Sequence, residues 1–251
     1  MAQLSTVRAV DNSFVSVNLD GVTEDELHNW TGNLRYTPRY GGRGTTADAW
    51  GFNVAPRDAL GAGVSGLRAT ERQRFAYSGG EIIVYDCADM PESRWAAWVG
   101  PWNMAHCMFH TPNWEPNDIV QHFSRVQFTD TPEGLTSSGG RRFNLRRASY
   151  FLPVPGVGTL AVQPKHLNST QVPGWRGFST GAGEVWRMSS KEGLPYEWLM
   201  LVTQTAVVKI DPWDVPRRGV TEVAEPRPGA EALSAAADFL TGRVLNVTWG
   251  A

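Results

Sequence analysis

Glu81-Ile82-Ile83-Val84-Tyr85-Asp86 has the β-branched and aromatic composition of a buried strand, and Ser78-Gly79-Gly80 supplies a turn in front of it. Residues 94–99 form a second predicted strand, which Gly100-Pro101 ends, and residues 104–110 form a third. Short strands joined by Gly/Pro turns favour an antiparallel β-sandwich or barrel.

The rest of the chain extends this pattern outward. Further strands are predicted at residues 14–19, 150–154, 158–162 and 184–188, and the longest apolar strand at 198–210. Helices are predicted at 67–75 and at 229–241, with Gly242 at the C-cap position, and residues 119–128 fit either a helix or a strand. No internal repeat is visible at solenoid or propeller periods. We therefore predict an all-β chain with a sandwich domain at residues 1–211, followed by a Pro-rich extended arm and C-terminal helix at 212–251.

The composition indicates a globular protein. The chain has 251 residues, of which 41% are hydrophobic, and its formal net charge of −2 argues against a general nucleic-acid coat or a polybasic membrane binder. We expect no membrane span and no signal peptide, because no apolar run is long enough and Met1-Ala2-Gln3-Leu4 has no basic-then-apolar pattern. Two cysteines, Cys87 and Cys107, are too few for a disulfide scaffold.

The sharpest local motif is a literal GxGxxG at residues 61–66, Gly-Ala-Gly-Val-Ser-Gly. In a dinucleotide site, such glycines let the backbone approach a pyrophosphate at a helix N-terminus, and a later acid takes a ribose hydroxyl. Residues 56–60 do not form the apolar strand that should precede it, so we predict a plain loop. The alternative is a dinucleotide (FAD/NAD)-dependent oxidoreductase, with these cofactor-binding residues: Gly61, Gly63, Gly66 and Asp86.

His106, Cys107 and His110 are close in sequence, with His122 as a further candidate metal ligand. On a strand, His106 and His110 would lie about 13 Å apart, which is too far for one zinc ion. We therefore predict no metal site, and Cys107 as a small buried side chain.

A cluster of arginines follows the Ser/Gly-rich residues 137–140. It is typical of a solvated loop or a partner contact, with weak binding to nucleic-acid phosphate as the alternative. Its members are Arg141, Arg142, Arg146 and Arg147.

The tryptophans of the second predicted strand suggest a contact surface. Trp95 and Trp98 lie on opposite faces if residues 94–99 form a strand, so at least one of them faces a second surface. That surface would be a neighbouring subunit or, in a sugar-binding module, a carbohydrate.

Residues 67–110 combine a polar helix, the aromatic and glycine residues of 74–80, the strand at 81–85, a loop, and a strand that ends at Gly100-Pro101. This order resembles the centre of the jelly-roll capsid proteins of picorna-like RNA viruses. Residues 196–212 are similar to the last long strand of such proteins, which an extended C-terminal arm follows.

The resemblance implies an eight-stranded jelly-roll sandwich that assembles in the host cytoplasm into an icosahedral virion shell, without catalysis and without a cofactor. Its partners would be further copies of the chain and sister coat proteins, and no membrane. Arginine far outnumbers lysine, which suits a GC-rich genome and favours a bacteriophage head or tail protein as the close alternative. Contacts between subunits are expected at Trp95, Trp98, Trp213, Leu233 and Leu240.

Overall fold

Strands dominate the computed structural model of the chain, which describes residues 2–23, 26–27, 29–38, 50–110, 114–139, 143–189, 197–212 and 230–250. The chain forms two compact units. Unit 1 consists of Met1–Val7, Ser13–Trp30 and Ser149–Ala251, and unit 2 of Arg8–Asn12 and Thr31–Ala148. Over the described ranges, no helix is long and apolar enough to cross a membrane.

The elements are numbered here in chain order. The strands are β1 (Ala2–Arg8), β2 (Phe14–Asp20), β3 (Thr31–Pro38), β4 (Trp50–Pro56), β5 (Ala69–Tyr77), β6 (Gly80–Cys87), β7 (Arg94–Val99), β8 (Asn103–Phe109), β9 (Gln127–Thr131), β10 (Gly134–Ser138), β11 (Phe143–Val154), β12 (Gly158–Pro164), β13 (Phe178–Ser179), β14 (Glu184–Ser189), β15 (Glu197–Val202), β16 (Ala206–Pro212) and β17 (Val244–Gly250). The helices are α1 (Ala59–Gly66), α2 (Pro116–Phe123), α3 (Lys165–Asn168), with a 3₁₀ turn at Ser169–Gln171 after it, and α4 (Ala230–Gly242).

Twelve strands form one antiparallel sheet, called the large sheet below, in the order β13-β14-β15-β16-β12-β11-β3-β4-β8-β7-β6-β5. A three-stranded sheet, β1-β2-β17, and the hairpin β9-β10 are separate from it. The prediction of a mostly β, antiparallel chain is confirmed.

The two units repeat one strand plan. In unit 2 the chain runs β3, β4, α1, β5 to β8 and α2, and the strands lie in the order β3-β4-β8-β7-β6-β5. In unit 1 it runs β11, β12, α3, β13 to β16 and α4, and the order is β11-β12-β16-β15-β14-β13. Trp95 is the second of six residues in β7, and Trp198 is the second of six in the corresponding strand β15. This repeat is one of strand topology, at a spacing far longer than the periods of solenoids and propellers.

β6 and β7 are buried on both faces, which explains their unbroken apolar runs. On one face, Trp95 packs against Tyr85 and belongs to a core cluster that Val64 of α1 covers. On the other face, the Trp98 ring stacks on Phe128. The predicted strands at 81–86 and 94–99 are therefore confirmed as central strands of unit 2.

The turn between β5 and β6 is the one that the sequence predicts. Ser78 and Gly79 both have positive φ, 47° and 75°, as a type I′ hairpin turn requires at its two central residues. β6 then pairs with β5 on one side and with β7 on the other.

The predicted helix at residues 67–75 is wrong, because these residues form the edge strand β5. Arg74 makes ion pairs with Glu71 of the same strand and with Glu81 of β6. Good helix formers are thus accommodated in a strand, because hydrogen bonds to β6 outweigh differences in intrinsic propensity of less than about 1 kcal/mol per residue.

The single long strand predicted at 198–210 is a hairpin of β15 and β16. Thr203 closes its turn, since its backbone N–H donates to the Ala206 carbonyl at 3.0 Å and its hydroxyl accepts the Ala206 N–H at 3.0 Å. A threonine in the turn satisfies the backbone locally. The polar run Thr203-Gln204-Thr205 between the two apolar segments is the sequence signal of this break.

The ambiguous residues 119–128 belong to both kinds of structure, the end of α2 and the start of β9. Glu115 and Asp118 form a capping box at the start of α2. The predicted C-terminal helix is confirmed as α4, and β17, which follows it, was not predicted and pairs with β2. Residues 213–229, which include most of the predicted Pro-rich arm, lie outside the described residues.

Candidate protein-binding surface

Trp95 and Trp98 do lie on opposite faces of a strand, but the chain itself covers both faces. Trp95 is 3% exposed and Trp98 is 1% exposed. The Trp98 Nε1–H donates to the Tyr77 carbonyl at 3.0 Å. The second surface that Trp95 faces is helix α1 and not a neighbouring subunit, so the expectation that these two side chains contact a partner is corrected.

The other predicted contact residues do not form a surface either. Leu233 and Leu240 are buried on α4, in the core of unit 1. Trp213 lies outside the described residues. The described members of the predicted contact set are therefore core residues.

The GxGxxG motif is a helix and not the predicted loop. Gly61, Gly63 and Gly66 all lie within α1, whereas a dinucleotide site needs glycines in the turn that precedes a helix. A Cβ on residue 63 would lie 2.8 Å from Cη2 of Trp95. Gly63 therefore allows the helix to pack closely on the sheet.

Asp86, the acid of the dinucleotide alternative, is held between two arginines. Its Oδ1 lies 2.9 Å from Nε of Arg94 and 3.5 Å from Nη1 of Arg72. Arg94 in turn donates to the carbonyls of Pro91 and Ser93. Asp86 thus has charged partners on its own chain, at the wall of an open pocket of about 300 Å³ that is also lined by these residues: Thr70, Cys87, Ala88, Pro91 and Arg94.

The candidate metal-binding histidines His106 and His122 lie in apolar surroundings. The Trp95 Nε1–H donates to Nδ1 of His106 at 3.1 Å, and burial lowers the pKa of His106. His122 lies among the rings of Phe52, Phe109 and Trp114, and burial lowers its pKa to about 4. Among the residues with described positions, no three His, Cys, Asp or Glu side chains are grouped as metal ligands would be.

Both cysteines are buried and free. Burial is the main cause that raises the pKa of the Cys87 thiol and of the Cys107 thiol. A thiol whose pKa is raised carries little thiolate at neutral pH, so neither side chain is suited to act as a nucleophile. The prediction that Cys107 is a small buried residue is confirmed.

The arginine cluster is only partly described. Arg146 and Arg147 are exposed on β11, and Arg141 and Arg142 lie outside the described residues. Adjacent residues of a strand point to opposite faces, so Arg146 and Arg147 do not present their charges together.

The most exposed aromatic side chains of the described chain lie beside β13, at one edge of the large sheet. Trp175 is 65% exposed and Phe178 is 68% exposed, and the exposed Arg176 lies between them in sequence. We call these three residues the edge patch. Among the described residues, no acidic side chain lies within ion-pair distance of Arg176.

The backbone under the edge patch is fixed. The Trp186 Nε1–H donates to the Trp175 carbonyl at 3.0 Å, and the Gly177 N–H donates to Oε2 of Glu184 at 3.1 Å. A Cβ on Gly177 would lie 2.7 Å from the Trp186 ring, so this glycine lets the chain cross the ring closely. Hydrogen bonds and close packing therefore fix the backbone of the edge patch, while its aromatic side chains point to solvent.

The opposite edge of the large sheet has a different character. β5 carries ion-paired arginines, and its pairing with β6 is interrupted by an irregularity between Glu71 and Gln73. Charges and bulges are the usual means by which an edge strand avoids pairing with another chain. The β5 edge of the large sheet is thus protected against pairing with another chain, whereas the β13 edge exposes apolar side chains.

Sequence reasoning missed the edge patch. Its residues follow Pro173-Gly174 and show no strand or helix period, so no pattern separates an exposed tryptophan here from a buried one elsewhere. The only local signal is two aromatic residues within a Gly-rich turn region. Comparison of the chain with protein-family models, with curated proteins and with solved structures gives no match.

Proposed function

We propose that this protein works by self-association through the edge patch, as a structural protein without catalysis. The observation that carries the proposal is the pair Trp175 and Phe178, which expose large apolar surface beside an open sheet edge. Tryptophan, arginine and other aromatic residues are enriched in the energetically dominant parts of protein interfaces. Arg176 adds a cation between them.

The narrower form of the proposal is a subunit of a virion shell, or of a bacteriophage head or tail. It rests on the resemblance of residues 67–110 and 196–212 to jelly-roll capsid proteins. A jelly roll packs two sheets of an eight-stranded sandwich face to face, whereas most described strands belong to one sheet. The edge patch, and not the jelly roll, therefore supports this proposal.

The dinucleotide alternative receives no support from the geometry. Its glycines lie inside α1, and Asp86 pairs with Arg94 and Arg72. The weak nucleic-acid contact through Arg141, Arg142, Arg146 and Arg147 also stays a proposal, and only the last two lie within the described residues.

The test is sedimentation of the native protein at neutral pH, with negative-stain imaging of the fast fraction. We expect the wild type to sediment faster than a monomer, as a dimer or a larger assembly, and the double variant Trp175→Ser, Phe178→Ser to remain monomeric, because the variant removes the exposed apolar area. The matched control is Trp102→Ser, because Trp102 is also exposed, at 55%, but lies in unit 2. This control should assemble like the wild type.

A wild type that stays monomeric at all accessible concentrations would rule out self-association. A double variant that assembles as well as the Trp102→Ser control would show that another surface is used.

A further inference from the structure

Among the described residues, the outer edge of β14 is only partly covered. β13 pairs with it at two positions, Phe178 with Val185 and Ser179 with Glu184. In unit 2 the corresponding strand, β6, is paired with β5 from Gly80 to Cys87. By comparison with unit 2, the shared strand plan leaves room beside β14 for a longer partner strand than the described chain supplies.

The main-chain groups that point out of this edge belong to Arg187 and Ser189. The Thr180 N–H bonds to the Gly183 carbonyl and closes the β13–β14 hairpin, so by alternation Val185 faces β13. The next residues to face the same side are Arg187 and Ser189. Within the described part of the chain, no main-chain group outside the sheet ladders is bonded to either of them.

The other edge of the large sheet is closed to a second copy. A strand added to β5 would meet the irregularity between Glu71 and Gln73 and the ion-paired Arg74. Of the two edges of the large sheet, the β14 side is therefore the one that a second copy could pair with.

We propose that two copies of this chain associate by antiparallel pairing of their β14 edges. This inference rests on the self-association proposed above and names its geometry. Such a contact uses the same strand on both sides and therefore closes after two copies, so it gives a dimer and not a fibre. The edge patch lies beside this seam and would supply its apolar contact.

One register of the β14 pairing avoids placing like charges opposite each other. If Met188 lies opposite Met188 of the second copy, Arg187 lies opposite Ser189, and no two arginines face each other. In this register the outward groups of Arg187 and Ser189 bond to each other. The side chain of Arg187 keeps its own partner, Glu197 of β15, whose Oε2 lies 2.6 Å from its Nη2. Directly opposed like charges, which destabilise strand pairs, are avoided.

The decisive variant is Arg187→Pro. Proline removes the outward N–H and is tolerated in an edge strand whose N–H faces solvent. Its matched control is Arg187→Ala, which also removes the ion pair with Glu197 but keeps the N–H. We expect sedimentation velocity to show wild type and Arg187→Ala as dimers, and Arg187→Pro with a dimer dissociation constant raised roughly tenfold or more.

Circular dichroism must show that Arg187→Pro is folded. If it is not, Ser189→Pro with Ser189→Ala as its control makes the same test one outward position further along. A folded proline variant that dimerises as tightly as its alanine control overturns the β14 pairing and leaves self-association standing. A wild type that is monomeric throughout overturns both.

Discussion

Gly63 shows how a single residue sets the contact between a helix and a sheet. A Cβ on it would lie 2.8 Å from Cη2 of Trp95, and the Trp95 ring is held by Tyr85 and by its hydrogen bond to His106. We therefore expect Gly63→Ala to lower the free energy of unfolding by about 1–3 kcal/mol, since the overpacked ring cannot move aside freely. Chemical denaturation measures this value.

The same helix provides the controls for this prediction. Nothing lies within 4 Å of a Cβ added to Gly61 or Gly66. Gly61→Ala and Gly66→Ala should be neutral or stabilising by up to about 1 kcal/mol, because alanine is the better helix former. A Gly63→Ala variant as stable as these two would show that α1 does not pack closely on Trp95.

At the scale of elements, β6, β7 and β8 could be predicted because their composition and their bounding turns agree. The neighbouring segments could not. α1 is Gly-rich, a composition that predicts a loop, and β5 consists of good helix formers, which predict a helix. In both, tertiary contacts decide the structure: α1 packs on Trp95, and β5 pairs with β6. Intrinsic propensity is a weak guide where such contacts compete with it.

The edge patch could not be predicted from the sequence for a related reason. The alternation of Trp95 and Trp98 across their strand follows from the sequence, but their burial depends on α1, which packs on Trp95, and on Phe128 of β9, which stacks on Trp98. The exposure of Trp175 and Phe178 depends equally on how little strand lies beyond β14. Periodicity specifies which side chains share a face, and only the assembled sheet specifies whether that face is covered.

At the scale of the whole chain, the repeated strand plan gives the two units different edges. β5 forms a long, charged edge in unit 2, whereas in the described part of unit 1 β13 pairs with only two residues of β14. Because the plan is otherwise the same, this difference is where we expect the two units to differ in function. Protection of one edge and exposure of the other limits how many copies can join edge to edge.

We expect the acid stability of the chain to depend on His122. Its ring is surrounded by Phe52, Phe109 and Trp114, and neither ring nitrogen has a hydrogen-bond partner among the described residues. Burial first, and then the charge of Arg125, lowers its pKa from 6.5 to about 4. The unfolded chain therefore binds a proton near pH 6.5 that the folded chain accepts only near pH 4. Folding stability that is fully present above pH 6.5 is lost as the pH falls toward 4.

We expect this one histidine to cost roughly 2 kcal/mol of unfolding free energy by pH 5, relative to pH 8. The comparison is His122→Phe, which keeps an aromatic ring and cannot titrate, measured by denaturation at pH 8, 6.5 and 5. His106 has a lowered pKa as well and remains in both proteins, so the difference between the two curves isolates His122. Carboxylates with lowered pKa, such as Glu71 and Glu197, lose their stabilising charge below their usual 4.5, outside this interval. Parallel curves for wild type and His122→Phe would show that the ring is reached by water.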